Sequence, residues 1–128
     1  MSSEAEILVR SYLAAMERRD LAAAQAMLAP DFVMIFPGGR RFARLSELVD
    51  WAKRRYRSAL KETERFDVVP TPEGGIVYCF GTLRGELLDG RPYSGVRFID
   101  RFTVSRGKLA DQFVWNDMAE VLGKLGAD

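Results

Sequence analysis

The sequence predicts an α+β fold in which N-terminal helices pack on a mostly antiparallel sheet. The first half of the chain carries apolar residues at helical spacing. The second half is a run of long extended stretches separated by Gly74-Gly75, Asp89-Gly90 and Arg106-Gly107, which is hairpin punctuation. A length of 128 residues fits one domain spanning 1–128, with no internal repeat, linker or low-complexity segment.

Taken in order, Ser3-x-x-Glu6 is a capping box for an amphipathic helix over residues 4–19, and Asp20 caps a second helix through residue 27 or 28. Ala29-Pro30-Asp31 closes that pair. Phe32-Val33-Met34-Ile35-Phe36 reads as a buried strand stopped by Pro37-Gly38-Gly39, with a short strand near Arg41-Phe42. Leu48, Trp51, Ala52, Tyr56 and Ala59 recur at helical spacing, which predicts a third helix over residues 46–58. Extended stretches follow near 63–71, 75–89, 92–105 and 108–116, the simplest arrangement being an antiparallel meander covered on one face by the helices. Asp117-x-x-Glu120 would cap a last short helix ending at Leu125-Gly126.

Composition prunes the chemistry. The chain has no histidine, which removes the imidazole base, Ser-His and Cys-His nucleophiles and most zinc sites. A lone cysteine, Cys79 in an apolar strand, excludes an internal disulfide or a Cys-x-x-Cys site and reads as a buried structural thiol. A net charge of +1 gives no global field toward nucleic acid or a membrane. The basic run Lys53, Arg54, Arg57 and Lys61 reads as a solvated helix face rather than a polyanion patch. The N-terminal residues lack a basic region followed by an apolar run, and no stretch has the length of a membrane span, which implies a cytoplasmic protein.

Asp100 is on the wrong side of its strand. Between residues 94 and 104 one parity reads Val96, Phe98, Asp100, Phe102, Val104, so the carboxylate faces the apolar side. Removing it from water costs several kcal/mol unless it is paired, hydrogen-bonded or protonated. It is held by a buried donor, or it works. Tyr12 lies at the centre of the apolar arc of the first helix, so its phenol turns inward, where it needs a partner. Tyr12 and Asp100 would satisfy each other directly or through a ligand oxygen, as a structural anchor or as a donor pair for a carbonyl or enolate.

Other candidates line the same space. Arg55 falls between Leu48, Trp51 and Ala59 on the apolar face of the third helix, either snorkelling to water or pointing into a pocket mouth. Phe32, Met34, Phe36, Trp51 and Phe98 would make a cavity broad and apolar, suited to a small ring-bearing molecule with one polar handle. Trp115 shares a parity with Leu109 and Phe113 and is expected in the core or the pocket lining, Asn116 could orient a ligand, and Asp117 reads as a cap. Both parities of residues 76–88 are apolar over much of their length, as expected either of a homodimer through the uncovered sheet face or of a strand simply flanked by its own neighbours.

The element order resembles the nuclear transport factor 2-like superfamily, and Asp20-Leu21, Leu28-Ala29-Pro30-Asp31-Phe32 and Gly107-Lys108-Leu109 look like its helix-turn, first-strand and last-hairpin signatures. Ser94-Gly95 and the ending from Trp115-Asn116-Asp117 to Leu122-Gly123-Lys124-Leu125-Gly126 are similar to the SnoaL-like polyketide cyclase branch. The resemblance covers nearly the whole chain. It implies a cone-shaped α+β roll with a curved sheet around one pocket, commonly in a homodimer. Tyr12 and Asp100 also stand where the ketosteroid isomerase branch has its oxyanion-binding tyrosine and protonated aspartic acid. The general bases depart from pattern: Phe36 precedes Pro37 where that branch places an aspartate, and Val114 stands where SnoaL-like cyclases carry theirs.

Two functions follow as expectations. One is cofactor-free, metal-free isomerisation, cyclisation or dehydration next to a carbonyl, with Asp100 as acid/base or donor and Tyr12 as oxyanion donor. The other is a binding or structural protein that keeps the fold without the chemistry.

Overall fold

Hydrogen-bonded caps begin the chain as its sequence requires. The structure, a computed structural model, describes residues 3–126; Met1, Ser2, Ala127 and Asp128, the ends of the domain read from sequence, lie outside the described residues. The Ser3 hydroxyl accepts from the Glu6 N–H at 3.1 Å to start α1 (Glu4–Glu17), and the Asp20 carboxylate accepts from the Ala23 N–H at 3.1 Å to start α2 (Leu21–Gln25). Strand β1 (Leu28–Phe36) leads through a 3-10 turn over Pro37–Gly39 into β2 (Arg40–Phe42). β1 starts earlier than the apolar run suggests, and Pro30 is accommodated where its pairing register shifts between Leu28 and Val33.

The third helix is shorter than its periodicity implies. α3 covers Leu45–Lys53, and the chain is already extended in β3 (Tyr56–Thr71). A register shift between Tyr56 and Ser58 puts an extra residue into β3, so Tyr56 and Ala59 turn to the same face three residues apart and imitate helical spacing. β4 (Gly74–Leu87), β5 (Pro92–Ser105) and β6 (Lys108–Asn116) complete the meander, and α4 (Met118–Lys124) closes the described chain.

The six strands form one sheet in the order β2-β1-β6-β5-β4-β3, antiparallel except for the parallel β1–β6 pair. α1 lies across β3, β4 and β6 on the inner face. Its buried Val9, Tyr12, Ala15 and Met16 join Met34, Val77, Cys79, Phe102 and Leu109 in one core. Burying a side chain of this size contributes about 1.5–3 kcal/mol, so this layer holds helix to sheet. The sheet and helices enclose one end of the roll as a cavity.

Candidate functional site

The cavity has a volume of about 300 Å³, and aromatic and aliphatic side chains from α1, α3 and the strands β3 to β6 wall it. Phe36 and Trp51 meet edge to face with centroids 5.6 Å apart, and Phe42 packs edge-on against Phe36 and tilted against Trp51. Phe98, Val114 and Leu83 continue the apolar wall. Met34, expected in the lining, lies behind it, fully buried, with its sulfur 4.0 Å from the Tyr12 hydroxyl.

Asp100 is fully buried on the inner face, as its parity requires, between Cys79 of β4 and Val114 of β6. Its holder is Lys61. The Lys61 ammonium donates to Asp100 Oδ2 from a side chain that is 27% exposed, and Gln112 Nε2 reaches the same oxygen at 3.5 Å. Asp100 Oδ1 and Gln112 Oε1 are buried with no hydrogen-bond partner among the described residues. Two acceptors without a donor, in the wall of a cavity, are a costly arrangement that a ligand donor or a proton would relieve.

The electrostatics follow from burial and this pair. Burial disfavours the Lys61 ammonium, but the Asp100 carboxylate beside it, with its hydrogen bond, holds the amine above its ordinary value. Burial, reinforced by the Asp100 charge, raises the Tyr12 phenol far above the normal tyrosine range, so it is a donor and not an anion. The same two causes push the buried Cys79 thiol up to about 12, which makes it an inert neighbour.

Several expectations need correction. Tyr12 and Asp100 share the cavity, but the Tyr12 hydroxyl contacts only the Met34 sulfur among its hydrogen-bond partners, while Lys61 and Gln112 hold Asp100. Trp115 is on the opposite face of the sheet, 54% exposed and stacked on Phe113 at 6.0 Å. Its parity with Leu109 is broken by a register shift near Ala110, which turns Gln112 and Val114 inward instead. Asn116 borders the cavity, but its side-chain oxygen accepts from the Met118 N–H at 3.0 Å, so it caps α4 while Asp117 pairs with Arg97 at 2.5 Å. Arg55 does line the cavity, from the turn after α3, with its guanidinium 4.4 Å over the Trp51 ring.

Lys61 and Gln112 are the functional candidates that pattern reading passed over. Lys61 looked like one of several bases on an outer helical face, and Gln112 looked outward by parity. The available signal was the buried acid itself, which required a buried donor.

Residues 9–112 match the SnoaL-like domain family. The chain belongs to that family. No curated protein matches this sequence significantly. The fold is shared with a nuclear transport factor 2-like protein of unknown function from Burkholderia pseudomallei, at TM-score 0.78 and 21% identity over 95% of this chain and 97% of that one. TerC, crystallised with polyporic acid, superimposes at TM-score 0.80 with 17% identity over 94% and 99% of the two chains. IdmH, a candidate polyketide cyclase from Streptomyces antibioticus, does so at TM-score 0.73 with 20% identity over 95% and 98%. These likenesses establish the fold of this SnoaL-like domain, a cone-shaped α+β roll, and leave its chemistry to its own residues.

Proposed function

We propose that this SnoaL-like domain binds a small hydrophobic, ring-bearing molecule and moves a proton next to its carbonyl, with Asp100 as the acid/base. The observation that carries this reading is Asp100, a buried acid among the cavity-lining residues whose Oδ1 has no hydrogen-bond partner among the described residues. Because Lys61 donates to the other oxygen, Oδ1 is left to act as an acceptor. An accepting Asp100 would act unlike the corresponding acid of a ketosteroid isomerase-like site, which is neutral and donates.

The step balances within the cluster. Asp100 Oδ1 takes the proton from the carbon adjacent to the carbonyl, the C–H electron pair moves into the enolate, and the neutralised Asp100 no longer offsets Lys61. The ammonium and the un-ionised Tyr12 hydroxyl are then the donors available to the enolate. Returning the proton to another carbon gives isomerisation; expelling hydroxide or forming a ring bond gives dehydration or cyclisation. The sequence requires no cofactor. A second reading, ligand binding without turnover, is favoured by the apolar Phe36 and Val114, which leave Asp100 without a second carboxylate in the cavity core.

A thermal-shift screen of steroids, polyketide-like aromatics and small lactones would identify ligands. Exchange of the α-protons of 2-tetralone in D₂O, followed by NMR, then tests the chemistry. Asp100→Asn should slow enzyme-dependent exchange by roughly 10²-fold. Equal exchange by the variant and the parent removes the acid/base role, and altered ligand affinity with no exchange in either protein supports the binding reading.

We further propose a homodimer through the outer sheet face. Ile99, Trp115, Val69 and Leu60 are exposed there, and the described helices cover only the other face. A second copy presents the same patch to itself, as a two-fold interface requires.

A further inference from the structure

The charges around the cavity are unevenly satisfied. Lys61 is neutralised by Asp100 at the buried end. Two other cations in the lining, Arg19 and Arg55, make no salt bridge among the described residues, and Glu17 is the one further carboxylate there. Both arginines share the lining with Tyr56. Burial raises that phenol, and the charges that oppose the rise are Arg55, Lys61 and Arg19, with no carboxylate acting beside them.

Each arginine is also held in a way that leaves donors over. Arg19 sits just past the end of α1 with a left-handed backbone, φ 58°, a conformation that its Cβ disfavours. One of its terminal nitrogens donates to the Met16 carbonyl at 2.7 Å, which fixes the guanidinium at the cavity. Arg55 holds its guanidinium carbon 4.4 Å from the centre of the Trp51 ring, a cation–π contact, and its guanidinium N–H groups donate to no described residue. A planar fork matches a carboxylate or sulfonate.

We infer that the cavity takes an amphiphilic anion, a hydrophobic ring system bearing a carboxylate or similar acid, whose acid group is received by Arg19 and Arg55 at the mouth while the ring lies against Phe36, Trp51 and Phe98. This rests on the cavity being a ligand site, and it adds a requirement that the proton-transfer reading does not contain. Glu17 sets the limit on it. Its charge makes a second acid on the ligand unfavourable.

A matched pair of probes separates the two ideas: 2-naphthoate and its methyl ester, which share the ring and differ in charge, titrated by calorimetry. The parent protein should bind the acid at least tenfold more tightly than the ester. Arg19→Gly, which also removes the backbone strain, and Arg55→Gln should each weaken the acid about tenfold, the scale of one charge-assisted hydrogen bond, and leave the ester within twofold. Arg55→Lys, which keeps the charge without the fork, should fall between parent and glutamine variant. Equal affinity of acid and ester in the parent protein, or parallel loss of both in the variants, overturns the anion requirement while leaving the cavity as a ligand site. Binding of neither probe overturns both.

Discussion

The two faces of the sheet contradict each other one residue apart. Asp100 is fully buried and its neighbour Ile99 is 39% exposed, so β5 turns a charge to the core and an aliphatic chain to water. The same inversion spreads sideways. Inward, Lys61, Asp100 and Gln112 make a polar cluster inside an apolar cavity; outward, Trp115, Phe113, Phe80 and Ile99 share a surface that the helices leave bare. Folding alone favours neither arrangement. The proposed ligand would account for the buried charge with an unused oxygen, and the proposed second copy would account for the exposed aromatic surface.

The largest expected effect breaks the inner face. Lys61→Met strands Asp100 as an unpaired buried carboxylate and should cost about 2–4 kcal/mol in urea unfolding, somewhat below the range for fully buried pairs because Lys61 is 27% exposed. Adding Asp100→Leu to that variant should recover most of the loss, since an apolar pair needs no compensation. If Lys61→Met melts like the parent protein, the pair does not hold the inner face.

Alkaline pH should erode the same face more gradually. Cys79, Lys61 and Tyr12 all have raised values in the folded chain, so the folded state keeps protons that the unfolded state releases. The stabilisation is complete below about pH 9, where an unfolded thiol begins to titrate, and is lost as pH rises toward 12 for Cys79 and through the raised values of the other groups. Melting temperatures from pH 8 to 12 should decline, and Cys79→Ala should decline less. A flat profile in the parent protein contradicts this.

Breaking the outer face should leave the fold standing. Trp115→Glu, at a site 54% exposed, should change monomer stability by no more than about 1 kcal/mol while shifting sedimentation from dimer to monomer at micromolar concentration. A parent protein that sediments as a monomer removes the proposed dimer. The smallest effect is expected at Tyr12→Phe, below about 1 kcal/mol, because the hydroxyl gives up only a long contact to the Met34 sulfur. A loss well above that, measured by denaturant unfolding, would show a stronger hydrogen bond than the Met34 contact.

Where strand alternation ran unbroken, the sequence was legible. Asp100 is inward because β5 keeps a single parity from Val96 to Val104, and the caps Ser3 and Asp20 stand where short polar side chains precede amphipathic runs. The misreadings gather at irregularities. One extra residue in β3 made Tyr56 and Ala59 look helical and hid Lys61, and one in β6 exchanged the faces of Trp115 and Gln112. Both partners of Asp100 were therefore concealed by bulges, which depend on pairing with neighbouring strands and leave no mark in a periodic pattern.

The Lys61–Asp100 contact joins strands that are not neighbours. Lys61 stands opposite Leu83 and Asp100 opposite Cys79, so on the inner face the lysine arm crosses β4 at the position between them, Gly81. A methyl group there would come within 2.0 Å of the Glu62 carbonyl and 3.0 Å of the Phe98 ring. The crossing ties the sheet's free margin, β3, to an interior strand through one ionic strap. Amide hydrogen exchange along residues 58–66 would therefore act as a remote gauge of this contact: in Asp100→Asn, which removes the charge, the margin should fray sooner than the centre.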